Sequence, residues 1–358
     1  MNKIGWLQLG AILTVSRIFS EATTIPDTNI VYGMQRYSVI ILSFVLTFIA
    51  CIPIFIIARK YEGSGFIELT ASKSRWAAIA FGIICVIASL YIMTETTVRL
   101  NYYATSTIFD SAPAAVLLLF VAGVCIYATV KGLQALTRTG IIVAAGFALL
   151  LILVVIALFP LVRFNHLYPA FVERPDSFLG EVLSEFTQNC ETVIFAVLCR
   201  RVRKDAHRSI YLYLPASCAV LLLMTFLYNT VLGEYLTEVN FPFYTLSSIS
   251  DISILQRLNG VDVVIWLMAA IIRLSLLAIT IREIIRLITG KRTIALWSGI
   301  AAVLITAGAT YFLTGSPELF RAFINIRETV IPVIIIVAVL PLTGLIIGRK
   351  KYGKKSEK

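Results

Sequence analysis

Six ionisable residues interrupt apolar stretches long enough to cross a bilayer: Arg17, Glu95, Arg99, Glu185, Glu191 and Arg273. A charge in hydrocarbon is costly unless it faces protein or water, so each is a candidate for function. Glu95 and Arg99 stand four apart with the acid first, the favourable order for a helical ion pair, and counting from Trp76 puts them roughly 28 Å along their span, near its outer end. They read as a structural pair, and Glu185 falls near an outer edge where water could reach it, so it too reads as structural rather than functional. Arg17 lies roughly 20 Å beyond Ile4, while Glu191 and Arg273 stand roughly 14 Å short of the basic edges at Arg200 and Arg282. These three are expected near the midplane.

Two of the three fall in polar interruptions, "TVSRIFSEATT" in the first span and "SEFTQNCET" in the sixth. Transporters built from inverted repeats form their binding site from two such broken helices, whose half-helix ends and unwound carbonyls face the substrate. The candidate ligand-binding set is therefore Ser16, Arg17, Ser20, Thr187, Asn189, Glu191 and Arg273. Two arginines against one acid leave a positive midplane, which favours an anionic group such as an amino-acid carboxylate. The alternative is that Arg17 and Glu191 neutralise each other as a bridge between the halves, with Arg273 satisfied by carbonyls or hydroxyls. Neither break contains a glycine, the residue that best lets backbone approach a ligand.

The elements that must position these groups are membrane spans. Of 358 residues, 59% are hydrophobic and 14% charged, with a mean hydropathy of +0.89. A soluble domain carries about 25% charged and about 45–50% apolar residues, so soluble enzymes and nucleic-acid binders are excluded in favour of an all-α integral membrane protein. Cys51, Cys85, Cys125, Cys190, Cys199 and Cys218 form no C-x-x-C pair and are expected as free thiols, with no metal site and no cofactor. His166 and His207 are the sole histidines and fall on opposite sides of the membrane. With no Walker loop and no nucleophile elbow either, no catalytic residues are expected.

Apolar runs mark nine spans, at about 4–24, 37–58, 76–98, 114–130, 141–162, 210–232, 261–281, 294–313 and 330–347. No small-residue cleavage site follows the first, so it is expected to be retained rather than removed as a signal peptide. The polar segment 180–199 is assigned as a tenth span by charge. If it crosses and the N-terminus is cytoplasmic, the basic clusters at 59–60, 200–208 and 282–292 all lie inside, and only Arg36, Arg163, Arg174, Arg257, Arg321 and Arg327 lie outside. Both termini are then cytoplasmic, and the net charge of +11 reflects orientation rather than a nucleic-acid partner. One transmembrane domain over 1–358 follows, with a first repeat at about 4–162, a second at about 180–347 and a basic cytoplasmic tail at 348–358. The stretch 233–260 is too polar for a span; with Pro242 near the start of its apolar part, it reads as a re-entrant or surface helix or as a plain outer loop.

Ten spans with a polar-broken first and sixth helix, and a long outer segment before the eighth, resemble the amino acid/polyamine/organocation (APC) superfamily with its LeuT-like 5+5 inverted repeat. The stretches "VKGLQALTRTGIIV", "LYPAF" and "FPFYTLSSISDISILQRLNGVDVVIW" are similar to the B subunits of spore germinant receptors, the GerAB family of spore permease-like proteins. The family's Gly and then Arg at the start of the fifth helix are matched by Gly132 and Arg138, and its Pro, later Arg and Trp around the eighth by Pro242, Arg257 and Trp266. The chain departs from the wider superfamily at "VSRIFS", where small glycine-rich motifs are usual.

The resemblance implies a subunit that senses a small nutrient germinant, often an amino acid, sugar or ion. It implies a place in the spore inner membrane beside an A-type subunit and a C-type lipoprotein subunit. The alternative is a secondary active amino-acid permease of the bacterial cell membrane, coupled to protons or sodium, with an ion channel as a third possibility. Fold alone does not separate them.

Overall fold

A computed structural model describes residues 3–23, 34–61, 64–107, 114–167, 175–250, 258–316, 323 and 338–352. The helices are α1 (Trp6–Ala22), α2 (Met34–Ala50), α3 (Ile52–Lys60), α4 (Phe66–Ala71), α5 (Arg75–Thr107), α6 (Ala114–Lys131) and α7 (Leu133–Leu158). They continue with α8 (Pro175–Thr187), α9 (Glu191–Leu198), α10 (Arg208–Leu227), α11 (Pro242–Ile249), α12 (Leu258–Thr289), α13 (Arg292–Thr314) and α14 (Leu340–Tyr352). Among the described residues the one β-type pairing is a bridge between Ile4 and Val202, which ties the start of α1 to the chain leaving α9.

Five helices, α5, α7, α10, α12 and α13, are long and apolar enough to cross a membrane, and α2 with α3, bent by 47°, makes a sixth. Pro53 near the start of α3 lacks an N–H to continue the ladder, which accounts for the bend. Among the described residues the other expected spans are shorter. At 17 residues, α1 is about 25 Å long, the lower limit for a crossing. The sixth expected span is two short helices, α8 and α9, with the break at 188–190. Within the first span, α1 runs unbroken through Ser16–Ser20 and ends at Thr23, at the far end of its polar stretch. Residues 24–33 and 324–337 lie outside the described residues, as do Arg174, Arg257, Arg321, Arg327 and the tail beyond 352.

The central post is α12. Its most apolar stretch is 78% buried, against 33% to 44% in the other four long helices, and it packs against α1, α5, α6, α7, α9, α11 and α13. On the periphery, α2 exposes Ile41, Val45, Phe48 and Ile49, and α7 exposes Ile142, Leu149, Ile152 and Ile156. Belts of this size are tolerated where lipid, not water, covers them. Inside, α1 runs close against α10 at Gly10, where a Cβ would stand 2.8 Å from Leu212 Cδ2 and 3.1 Å from the Ser209 carbonyl.

The stretch 233–260 contains a helix, α11, rather than a plain loop. Pro242 opens it without forfeiting a needed donor. Phe243 meets the buried Trp266 of α12 edge-on at 5.4 Å, and Phe147 of α7 meets the same ring at 5.6 Å. Asp262 on α12, fully buried, accepts from the Ser247 hydroxyl at 3.1 Å and so pins α11 down.

Candidate functional site

The site is built around the break between α8 and α9. At its edges the backbone changes to tighter turns: Gln188 and Asn189 donate to the carbonyls of Glu185 and Phe186, and Val193 donates to Cys190. The hydroxyls of Thr187 and Thr192 donate to the carbonyls of Ser184 and Asn189 at 2.7 and 2.9 Å. These bonds replace helical ones that the break forfeits, which is why a run rich in Thr, Gln and Asn can interrupt a buried helix. The Asn189 side chain holds the break in place from both ends of its amide. Its oxygen accepts from Arg17 Nε at 2.9 Å, and its nitrogen donates to Thr47 Oγ1 of α2 at 2.9 Å.

Glu191 opens α9, where the positive end of the helix favours a carboxylate. One carboxylate oxygen accepts from the Ser16 hydroxyl at 3.0 Å and from Arg273 Nη1 at 2.5 Å, and the other accepts from the Tyr213 hydroxyl of α10 at 3.3 Å. Arg273 spends its remaining donors on the Ser16 carbonyl (2.6 Å), Thr96 Oγ1 of α5 (3.0 Å) and Cys190 Sγ (3.1 Å). Ser16, Arg17 and Glu191 are each 0% exposed and Arg273 is 3% exposed, so the joint is closed to solvent.

A second ion cluster adjoins it. Arg17 pairs with Glu185 and, at 3.6 Å, with Glu21. Arg36 of α2 reaches the same two acids, at 2.7 Å from Glu185 and 3.3 Å from Glu21. In place of the alternative bridge between Arg17 and Glu191 stand two separate pairings, Arg17 with Glu185 and Arg273 with Glu191. Glu185 is 1% exposed and central to the cluster, not a carboxylate at a wet outer edge. Three arginines face three carboxylates across both clusters, so the expected surplus of positive charge is absent among these residues.

Of the seven expected residues, Ser16, Glu191 and Arg273 meet in one group and Arg17 and Asn189 in another. Thr187 turns its hydroxyl to its own helix. Ser20 contributes its carbonyl to Arg99 Nη1 at 3.2 Å, and Arg99 also pairs with Glu95 at 2.8 Å as their spacing indicated. Glu21, Arg36, Thr47, Thr96 and Tyr213 were missed. Glu21 carried a signal, since it lies one helical turn from Arg17; Arg36 did not, being the last charge before an apolar run.

The chain has the LeuT-type transporter fold, as its likeness to two solved structures shows. The chain superposes on MHP1, a nucleobase-cation-symport-1 family transporter in a closed conformation with bromovinylhydantoin bound, with a TM-score of 0.60 over 98% of this chain and 93% of that one, at 11% identity. It also superposes on a Na+-coupled sialic acid symporter in a substrate-bound outward-open state, with a TM-score of 0.52 over 95% and 94% of the two chains, at 12% identity. At such identities the likeness is one of fold. None of the curated proteins matches the chain in sequence. Residues 33–318 match the spore permease family, described as spore germination protein, and the chain belongs to that family. It is an integral, multi-pass membrane protein of permease-like kind.

Proposed function

We propose that the protein is the membrane subunit of a spore germinant receptor. It binds a small nutrient, an amino acid or similar solute, at the break between α8 and α9, and passes the change to A-type and C-type subunits in the spore inner membrane. The observation that carries this reading is the closed joint in which Glu191 holds Arg273 and the Ser16 hydroxyl. A ligand drives a response only by as much as it prefers one of two conformations, so a sensor needs a site whose contacts differ between states. In the closed state these groups satisfy one another; opening frees a guanidinium and a carboxylate together, the complement of an amino-acid zwitterion. Ser16, Arg17, Ser20, Thr187, Asn189, Glu191 and Arg273 are the ligand-binding candidates. In this reading the chain crosses ten times as two five-helix repeats, about 4–162 and 180–347, with both termini and the 348–358 tail in the cytoplasm.

The fold shared with symporters favours a second reading, a secondary active permease coupled to protons or sodium. Against sodium coupling, Arg273 sets a permanent cation among the very oxygens, the Ser16 carbonyl and the Glu191 carboxylate, that a bound ion would need. Deleting the gene tests the two. The receptor reading expects spores to lose their response to one class of nutrient while still germinating with receptor-independent agents, and growing cells to take up that nutrient normally. Impaired uptake in growing cells with normal germination, together with gradient-driven uptake in proteoliposomes, would replace it with the permease.

A further inference from the structure

On the face that carries the basic clusters, a cavity of about 470 Å³ opens between the end of α6, the start of α7, the turn after α9, α12 and the start of α13. Six cations line it, Lys131, Arg138, Arg201, Arg282, Arg286 and Arg292, against one acid, Glu283. Orientation across the membrane accounts for the face on which these residues lie. It does not account for their convergence on one concave space from five elements.

Three of the cations are already engaged. Arg201 forms a buried two-point pair with Glu283, with its Nε at 2.9 Å. Arg282 Nη1 donates to the Thr129 carbonyl at 2.5 Å, and Lys131 lies over the Tyr127 ring. Arg138, Arg286 and Arg292 have no hydrogen-bonded or ion-paired partner among the described residues, yet all three border the cavity. The first turn of α7 supplies the rest of the wall through Leu133, Gln134 and Ala135. Gly132 ahead of it has no side chain to cap that turn, and the turn holds no acid. The positive end of a 26-residue helix therefore faces the same space as the guanidinium groups of Arg138, Arg286 and Arg292.

Guanidinium forks beside the positive end of a helix are the chemistry that holds phosphate. We propose that this cavity binds a phosphate group, carried either by an anionic lipid headgroup or by a free solute. The site is independent of the nutrient site and of the receptor reading. It stands on α12, the helix that also carries Arg273, about 14 Å further along it.

The test uses the full-length protein purified in a zwitterionic detergent. One arm titrates inorganic phosphate and follows binding calorimetrically. The other exchanges the protein into nanodiscs of phosphatidylcholine with or without phosphatidylglycerol and counts retained lipid by native mass spectrometry. Arg138→Gln/Arg292→Gln removes two exposed cations of the site, and Arg59→Gln/Lys60→Gln is the control on a separate basic cluster. Ala135→Glu places a carboxylate in the first turn of α7, where it favours the helix, so it opposes the anion without risking the fold. Saturable phosphate binding identifies a free solute; selective retention of phosphatidylglycerol without phosphate binding identifies a headgroup. Either supports the site, provided the two site variants weaken it roughly tenfold and the control does not. Binding of neither probe, or equal loss in site and control variants, overturns the proposal.

Discussion

The Arg273 guanidinium of α12 lies 2.5 Å from the carboxylate of Glu191 at the head of α9, and the same nitrogen donates to the Ser16 carbonyl of α1 at 2.6 Å. Three helices thus meet on one nitrogen. Taking away one member of a buried pair strands the other charge and costs about 3–5 kcal/mol, whereas replacing both with apolar residues is often neutral. Arg273→Gln and Glu191→Gln are each expected to lower the thermal unfolding midpoint of the purified protein. Arg273→Met/Glu191→Leu is expected to recover most of that loss. Simple addition of the two single losses in the double variant would mean that the residues act separately.

In the neighbouring cluster the two acids are unequal. Glu185 contacts both Arg17 and Arg36 more closely than Glu21 does, so Glu185→Gln leaves the buried Arg17 and the partly buried Arg36 sharing one carboxylate, at 3.6 and 3.3 Å. Glu185→Gln is expected to destabilise by about 2 kcal/mol more than Glu21→Gln. Unfolding midpoints of the two variants in the same detergent check the order, and a larger loss for Glu21→Gln contradicts it.

The break in the sixth span was legible because its residue types announce it: Thr187, Gln188, Asn189 and Thr192 can all satisfy backbone that an apolar helix cannot. The membrane class and the family resemblance were legible from composition and from motifs around Gly132, Pro242 and Trp266. Pairing was not. Depth counted at 1.5 Å per residue places Arg17, Glu191 and Arg273 along the membrane normal, but it says nothing of which way each side chain points around its helix. The break re-aims the chain between Glu185 and Glu191, so the acid before it meets α1 and α2 while the acid after it meets α12. The basic cavity was hidden for a related reason. Its cations come from three separate stretches of the sequence, each accounted for by orientation.

Orientation is itself testable. The ten-crossing topology puts Lys204, an exposed residue after α9, inside, and Asn165, exposed after α7, outside. Five of the six native thiols are buried and Cys218 is partly so, which keeps background labelling low. In sealed right-side-out cells an impermeant thiol reagent is expected to label Asn165→Cys and to spare Lys204→Cys until the membrane is permeabilised. The opposite pattern would invert the topology, and labelling of both would remove the crossing by α8 and α9.

Two glycines, one inside α6 and one just after it, separate backbone strain from space. Gly132 links α6 to α7 with φ 89° and ψ 178°, a region open to glycine alone, while its N–H donates to Ala128 at 2.8 Å and its carbonyl accepts from Leu136 at 3.2 Å. A Cβ there would stand at an ordinary 3.5 Å from Arg282 Nη2, so the cost of Gly132→Ala comes from the backbone, about 1–3 kcal/mol. Asparagine tolerates the left-handed helical region but not this extended one, so Gly132→Asn is expected to give no rescue. Gly123, inside α6, is the contrast, since a Cβ added there would meet nothing within 4 Å. Gly123→Ala is expected to leave the unfolding midpoint unchanged or to raise it by the equivalent of up to about 1 kcal/mol. Equal losses at the two glycines would show that neighbouring atoms, and not the backbone at Gly132, set the cost.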